Sequence, residues 1–85
     1  MVTPDEVIAE MKRIAERELE LAGRIAPGAQ LVRDLGLDSL GMTVLAVGLE
    51  NRFRIRLRET DAEGIVTVED LARLVVRRLG EQSSG

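Results

Sequence analysis

The distribution of apolar and polar positions divides this chain into three helical stretches and the connections between them. Val7, Ile8, Met11, Ile14, Ala15 and Leu19 recur at steps of three and four, with Glu10, Lys12, Arg13, Glu16, Arg17 and Glu20 on the other side. That period predicts an amphipathic helix from about Pro4 to about Leu21. Thr3, Pro4, Asp5 and Glu6 open it with a Thr cap, Pro at the first helical position and a Glu placed to close a capping box. Gly23, Pro27 and Gly28 then break the pattern, and no helical period is sustained from Ala22 to Leu37. The expectation is a long loop pinned by its own Ile25, Leu31, Val32, Leu35 and Leu37.

Asp38 reads as the N-cap of a second helix, and the run from Ser39 to Phe53 is apolar on most of its circumference. This predicts a central helix that touches every other element, with Leu45, Leu49 and Phe53 in the core; Gly48 and Ala46 are read as serving close helix packing, with open space beside the helix as the alternative. Arg52 to Arg58 alternates charged and apolar residues, a strand period, but a lone strand has no partner. Residues 54–59 are therefore read as an extended connection with Ile55 and Leu57 turned inward and the arginines in water. Thr60, Asp61, Ala62 and Glu63 offer one short helical turn before Gly64. Thr67 and Asp70 repeat the capping-box spacing ahead of a stripe of Leu71, Leu74, Val75 and Leu79; Gly80 is read as the stop, and residues 81–85 have the composition of a disordered tail. The expected fold is all-α: a four-helix bundle over residues 1–80, with three main helices, one short helix and a long loop between the first and second.

Composition narrows the function. At 85 residues there is room for one domain, and Phe53 is its only aromatic side chain. Net charge −3 with no stacking platform argues against nucleic acid. The absence of Cys and His excludes disulfides, the usual zinc ligands and every Ser-His or Cys-His nucleophile, so no metal is assigned and catalysis by the chain itself is not expected. The longest uncharged stretch, Ser39 to Leu49, falls well short of the roughly 18 residues that suggest a membrane span. Acids at positions 5 and 6, where a secretory signal would carry base and apolar residues, lead to the expectation of a cytoplasmic protein; a monomer is also expected.

The candidate chemistry lies in Asp34-Leu35-Gly36-Leu37-Asp38-Ser39-Leu40. Serine at a helix start ordinarily caps. With Asp38 as the cap, however, Ser39 is the first helical residue and its hydroxyl is free to project into water. A phosphate ester there would lie against open N–H groups at the positive end of the helix dipole. Two other readings stay open on these residues. One is a partner-binding helical module in which Ser39 only starts the helix. The other is an enzyme using Asp34 and Asp38 as a carboxylate pair, although such residues in a polar loop more often serve turns and caps.

These residues resemble the acyl carrier proteins, which hold a phosphopantetheine arm on the serine of an Asp-Ser-Leu motif, here Asp38, Ser39 and Leu40. Ala29 to Leu37 is similar to the family's approach to that serine. Leu45, Leu49, Glu50 and Phe53 fall at matching places in its central helix, and Asp61-Ala62-Glu63 with Ile65, Thr67 and Val68 at its later elements. The likeness spans about Val7 to Leu79. It implies a non-catalytic carrier of acyl thioesters on 4'-phosphopantetheine attached at Ser39 by a phosphopantetheinyl transferase, with Asp38 and Leu40 as transferase contacts. The implied partners are ketosynthases or acyltransferases of fatty-acid, polyketide or related lipid synthesis; a nonribosomal peptide carrier is the alternative within the class. Family members serving fatty-acid synthesis usually show acids along the central helix, where this chain has Gly41, Val44, Asn51 and Arg52. With Arg54, Arg56 and Arg58 following, the expectation is a specialised carrier that contacts partners through Val44 and these arginines.

Overall fold

The structure is a computed structural model that describes residues 2–19 and 22–83. Its main elements are three α-helices, α1 (Pro4–Ile14), α2 (Ser39–Phe53) and α3 (Val68–Ser83). A π-helical turn, Ala15–Leu19, extends α1, and short 3-10 turns occupy Ala22–Arg24 and Glu59–Ala62. Among the described residues there is no strand; Gln30 and Thr67 form one isolated antiparallel bridge. The fold is all-α, as the periodicity predicts. The expected end of the first helix at Leu21 lies outside the described residues.

Each helix begins as its sequence directs. Thr3 Oγ1 accepts the Glu6 N–H at 3.3 Å while Glu6 Oε2 accepts the Thr3 N–H at 3.2 Å, closing the predicted box on α1. Thr67 and Asp70 do the same for α3, with both backbone bonds within 3.1 Å. α2 starts on Asp38, whose Oδ1 accepts the Gly41 N–H at 2.8 Å.

Val7, Met11, Ile14, Leu31, Leu45, Leu49, Val68 and Val75 are fully buried, each contributing about 1.5–3 kcal/mol relative to an exposed side chain. The shared position belongs to α1, because both α2 and α3 pack on it, and this corrects the expectation for α2. Apolar content alone does not make a helix central: Leu40 and Val47 of α2 face solvent, and only Gly41, Leu45 and Leu49 of that helix are buried. The α1–α2 approach depends on Gly48. A Cβ there would stand 2.7 Å from Ile14 Cδ1, so Gly48 serves the packing role expected of it. Phe53 is half-buried rather than core, with the Arg52 guanidinium 5.3 Å from its ring centroid.

Residues 25–38 carry turns and the bridge rather than helix, and they are tied to α3. The Leu31 N–H donates to Val66 O, while Val68 and Glu69 N–H groups donate to the carbonyls of Ala29 and Pro27, all within 3.0 Å. Two N–H groups that the α3 start leaves without helical partners thus hold the loop. Ile25, Leu31, Leu35 and Leu37 are buried as pins, but Val32 is 67% exposed because it sits in the tight turn from Gln30 to Leu35 rather than beneath it. The predicted extended connection is present: Ile55 is buried, Leu57 half-buried, and Arg54, Arg56 and Arg58 exposed.

Three further expectations are corrected. Glu10, placed on the solvent face by period, is 9% exposed, since Arg52 Nε lies 3.5 Å and Arg13 Nη1 3.8 Å from its carboxylate. Gly80 does not end α3, which continues to Ser83; one helical glycine costs only about 1 kcal/mol, and Arg78 pairs with Glu81 at 2.9 Å across it. Residues 81–83 are therefore helix, and 84–85 lie outside the described residues.

Candidate functional site

Asp34 and Asp38 shape the approach to Ser39 through backbone bonds. Asp34 Oδ2 accepts the Gln30 N–H at 2.7 Å, closing the turn that Gly36 leaves with φ +67°, a left-handed conformation suited to glycine. Asp38 has extended backbone and caps α2. Each carboxylate thus has a structural partner of its own, and nothing joins the two as a catalytic pair.

Ser39 is the first residue of the 15-residue α2 and is exposed. Its carbonyl accepts the Thr43 hydroxyl at 2.9 Å, whereas among the described residues no hydrogen bond engages its own hydroxyl or the N–H groups of Ser39 and Leu40. No acid stands in the first turn. A free hydroxyl beside open N–H groups and the positive helix end is chemically suited to a phosphodiester. Leu40, 72% exposed, extends the site outward.

Gly41 and Val44 depart from their predicted places. Gly41 is buried against Leu37, whose Cδ2 would lie 3.0 Å from an added Cβ, so no side chain from position 41 is missing from the recognition face. Val44 is half-buried. The outward stripe of α2 is instead Leu40, Thr43, Val47 and Asn51, uncharged throughout. The helical period identifies Val47 as a member of this stripe, a residue not singled out from sequence. Glu50, the one acid of α2, is half-buried and accepts the Leu57 N–H at 2.9 Å. Arg52 is engaged by Glu10 and Phe53.

One turn along α2 from Ser39, a cavity of about 310 Å³ opens between the helix and residues 57–71, lined mainly by Met42, Ala46, Val47, Leu57, Ile65 and Leu71. Ala46, read as a packing residue, borders this space. At the far end of α2, Arg54 adopts a left-handed conformation (φ 55°) that ends the helix. Asp61 then organises the next turn: Oδ2 accepts the Arg58 N–H at 2.8 Å and Oδ1 pairs with Arg78. The Arg58 N–H, and after it the Arg78 guanidinium, hold the Asp61 carboxyl below the usual aspartate range. The N–H groups of Thr67 and Val66 lower Asp70 in the same way.

The chain is similar to known proteins. The family described as "Phosphopantetheine attachment site" matches residues 9–75. The chain is 30% identical over 81 residues to an acyl carrier protein of Thermotoga maritima, covering 94% of this chain and the whole of that protein. It is 39% identical over 62 residues to one of Helicobacter pylori, covering 73% of this chain and 80% of the relative. Acyl carrier protein 3, chloroplastic, of Hordeum vulgare is 42% identical over 57 residues, which are 67% of this chain but only 43% of the barley protein. The match over residues 9–75 of an all-α chain defines the class as a phosphopantetheine-attachment domain. The chain belongs to the acyl carrier protein family, whose prosthetic group is covalently attached 4'-phosphopantetheine. The residues present fit that group, because the Ser39 hydroxyl is exposed and unengaged. Among the described residues, no helix is long and apolar enough to cross a membrane.

Proposed function

We propose that Ser39 is the attachment residue and that the chain carries acyl groups for enzymes of fatty-acid, polyketide or related lipid synthesis, as a specialised carrier. The observation that carries this reading is the open start of α2, with an unengaged hydroxyl at Ser39 and unpartnered N–H groups at Ser39 and Leu40. When bound, the arm supplies the thiol that a chain without cysteine lacks. Asp38 holds the helix start so that Ser39 points outward, and with exposed Leu40 it offers the transferase a carboxylate beside an apolar contact. Catalysis rests with the separate enzymes. The four-helix arrangement of such a carrier is proposed here with the Glu59–Ala62 turn as its short element and residues 25–38 as its long loop.

The apolar cavity beside α2 is suited to an acyl chain, its mouth bordered by Thr43 and Val47. Specialisation is supported by the uncharged outward stripe of α2, where carriers serving fatty-acid synthesis usually display acids. The test is co-expression with a broad-specificity phosphopantetheinyl transferase, followed by intact-mass and fragment analysis. A gain of one arm, mapped to Ser39, is expected. An unchanged mass would leave the chain a helical binding module.

A further inference from the structure

We infer that Arg54, Arg56 and Arg58 form a docking surface for an acidic patch on a partner protein of this carrier. The inference rests on the carrier reading of Ser39 and adds the chemistry of the partner. Alternation along the connection turns Ile55 and Leu57 inward and leaves the three arginines exposed. At about 6.6 Å per two extended residues, their backbone positions span about 13 Å. That row matches one protein patch rather than a single small anion.

The row is fixed before any partner arrives. Ile55 N–H donates to Glu50 O at 3.2 Å, Leu57 N–H to Glu50 Oε2 at 2.9 Å and Arg58 N–H to Asp61 Oδ2 at 2.8 Å. Docking would therefore order only the arginine side chains, which keeps the entropic cost low. Among the described side chains three nearby acids are already committed: Glu50 to the connection, Asp61 to Arg58 N–H and Arg78, and Glu81 to Arg78. Among the described side chains, ion pairs go to Arg13, Arg52, Arg73 and Arg78, and none to Arg54, Arg56 or Arg58. Positive charge is thus concentrated on a chain whose net charge is −3.

The surroundings suit a carboxylate. Arg56 and Arg58 line a shallow cleft of about 200 Å³ whose other walls are Arg78 and Glu81, which pair with each other while Arg78 also holds Asp61. A carboxylate entering there meets two guanidinium forks, the geometry to which Arg is best matched. Arg58 also borders the apolar cavity beside α2 together with Thr43 and Val47, so the row meets the uncharged stripe that leads back to Ser39. A membrane is the poorer occupant, because a broad anionic sheet would also confront the chain's 15 acids, whereas a compact acidic patch need not.

The experiment compares the loaded holo-protein as donor to a fatty-acid ketosynthase and to a variant of that enzyme in which Lys and Arg around the carrier entrance are replaced by Glu. Transfer kcat/KM is expected to be about tenfold higher with the Glu-faced enzyme at low salt, and the preference should vanish near 0.5 M salt. Substituting all three positions (Arg54→Gln, Arg56→Gln, Arg58→Gln) should abolish the preference, while the three Lys substitutions should keep most of it; helicity and thermal melts confirm that each variant folds. Equal preference in wild type and the Gln variant overturns the inference. So does sedimentation of wild type, but not the Gln variant, with phosphatidylglycerol vesicles when neither enzyme distinguishes the two. Titrating the apo-protein against both enzymes separates the two readings: failure of the transferase to load Ser39 sinks the carrier assignment, while a binding preference of the apo-protein for the Glu-faced enzyme still upholds the docking row.

Discussion

The starts of α2 and α3 solve the same problem in opposite ways. At α3 the N–H groups of Val68 and Glu69 donate to loop carbonyls, Asp70 N–H donates to Thr67, and the Asp70 carboxylate returns to Val66 and Thr67. Glu69 and Asp70 place acid in that first turn. α2 has Asp38 alone, a buried glycine at its third position and no acid in the turn. One start is closed and locks the fold. The other is capped just enough to hold its direction, and its remaining donors face water. A helix N-terminus becomes available to an anion only where the chain declines to use it for itself.

The largest expected effect tests the open start: Ser39→Ala should lose all loading in an intact-mass assay while melting like wild type, because no hydrogen bond is removed. Loading elsewhere would dissolve the distinction between the two helix starts. Next, Asp38→Ala should lower stability by about 0.5–2 kcal/mol in urea unfolding and slow loading as well. A loss of stability with an unaltered loading rate would confine Asp38 to capping.

The closed start should show in acid. Asp70 is held below the usual aspartate range by Thr67 and Val66 N–H groups, so its contribution is fully present above about pH 4 and fades as pH falls through its lowered value. Denaturation series at stepped pH should give a shallower acid slope for Asp70→Asn than for wild type, and parallel slopes would remove the linkage. The smallest effect belongs to Gly41→Ala. The gain from replacing a helical glycine, about 1 kcal/mol, opposes the tight contact with Leu37, and the melting midpoint should move by only a few degrees. A large loss would show that position 41 tolerates no side chain against Leu37.

What could be read in the sequence is what depends on neighbours along the chain. The Thr3–Glu6 and Thr67–Asp70 boxes, the Asp38 cap and the inward turn of Ile55 and Leu57 each need only a few consecutive residues. The motif around Ser39 was legible for the same reason. The burial of Glu10 is not legible from its helical period because it depends on Arg52, which only tertiary packing brings near. Gly41 looked like a missing acid until Leu37 was found against it, and Phe53 looked like core because four-residue spacing gives a face without saying how deeply it is covered. Open space beside Ala46 is one of two readings the sequence allows, but its extent is not legible there, since its walls come from two segments joined only by the fold.

Phe53 brings one more consequence. Its ring is the only aromatic system in the chain, and it borders a hollow shared with Val2 and Ala9 at the first helix. Within the chain, ring-current shifts of methyl protons therefore originate from this one ring. The shifts of Val2 and Ala9 become a built-in gauge of how firmly the first two helices stay together, readable without a label as aliphatic cargo is loaded.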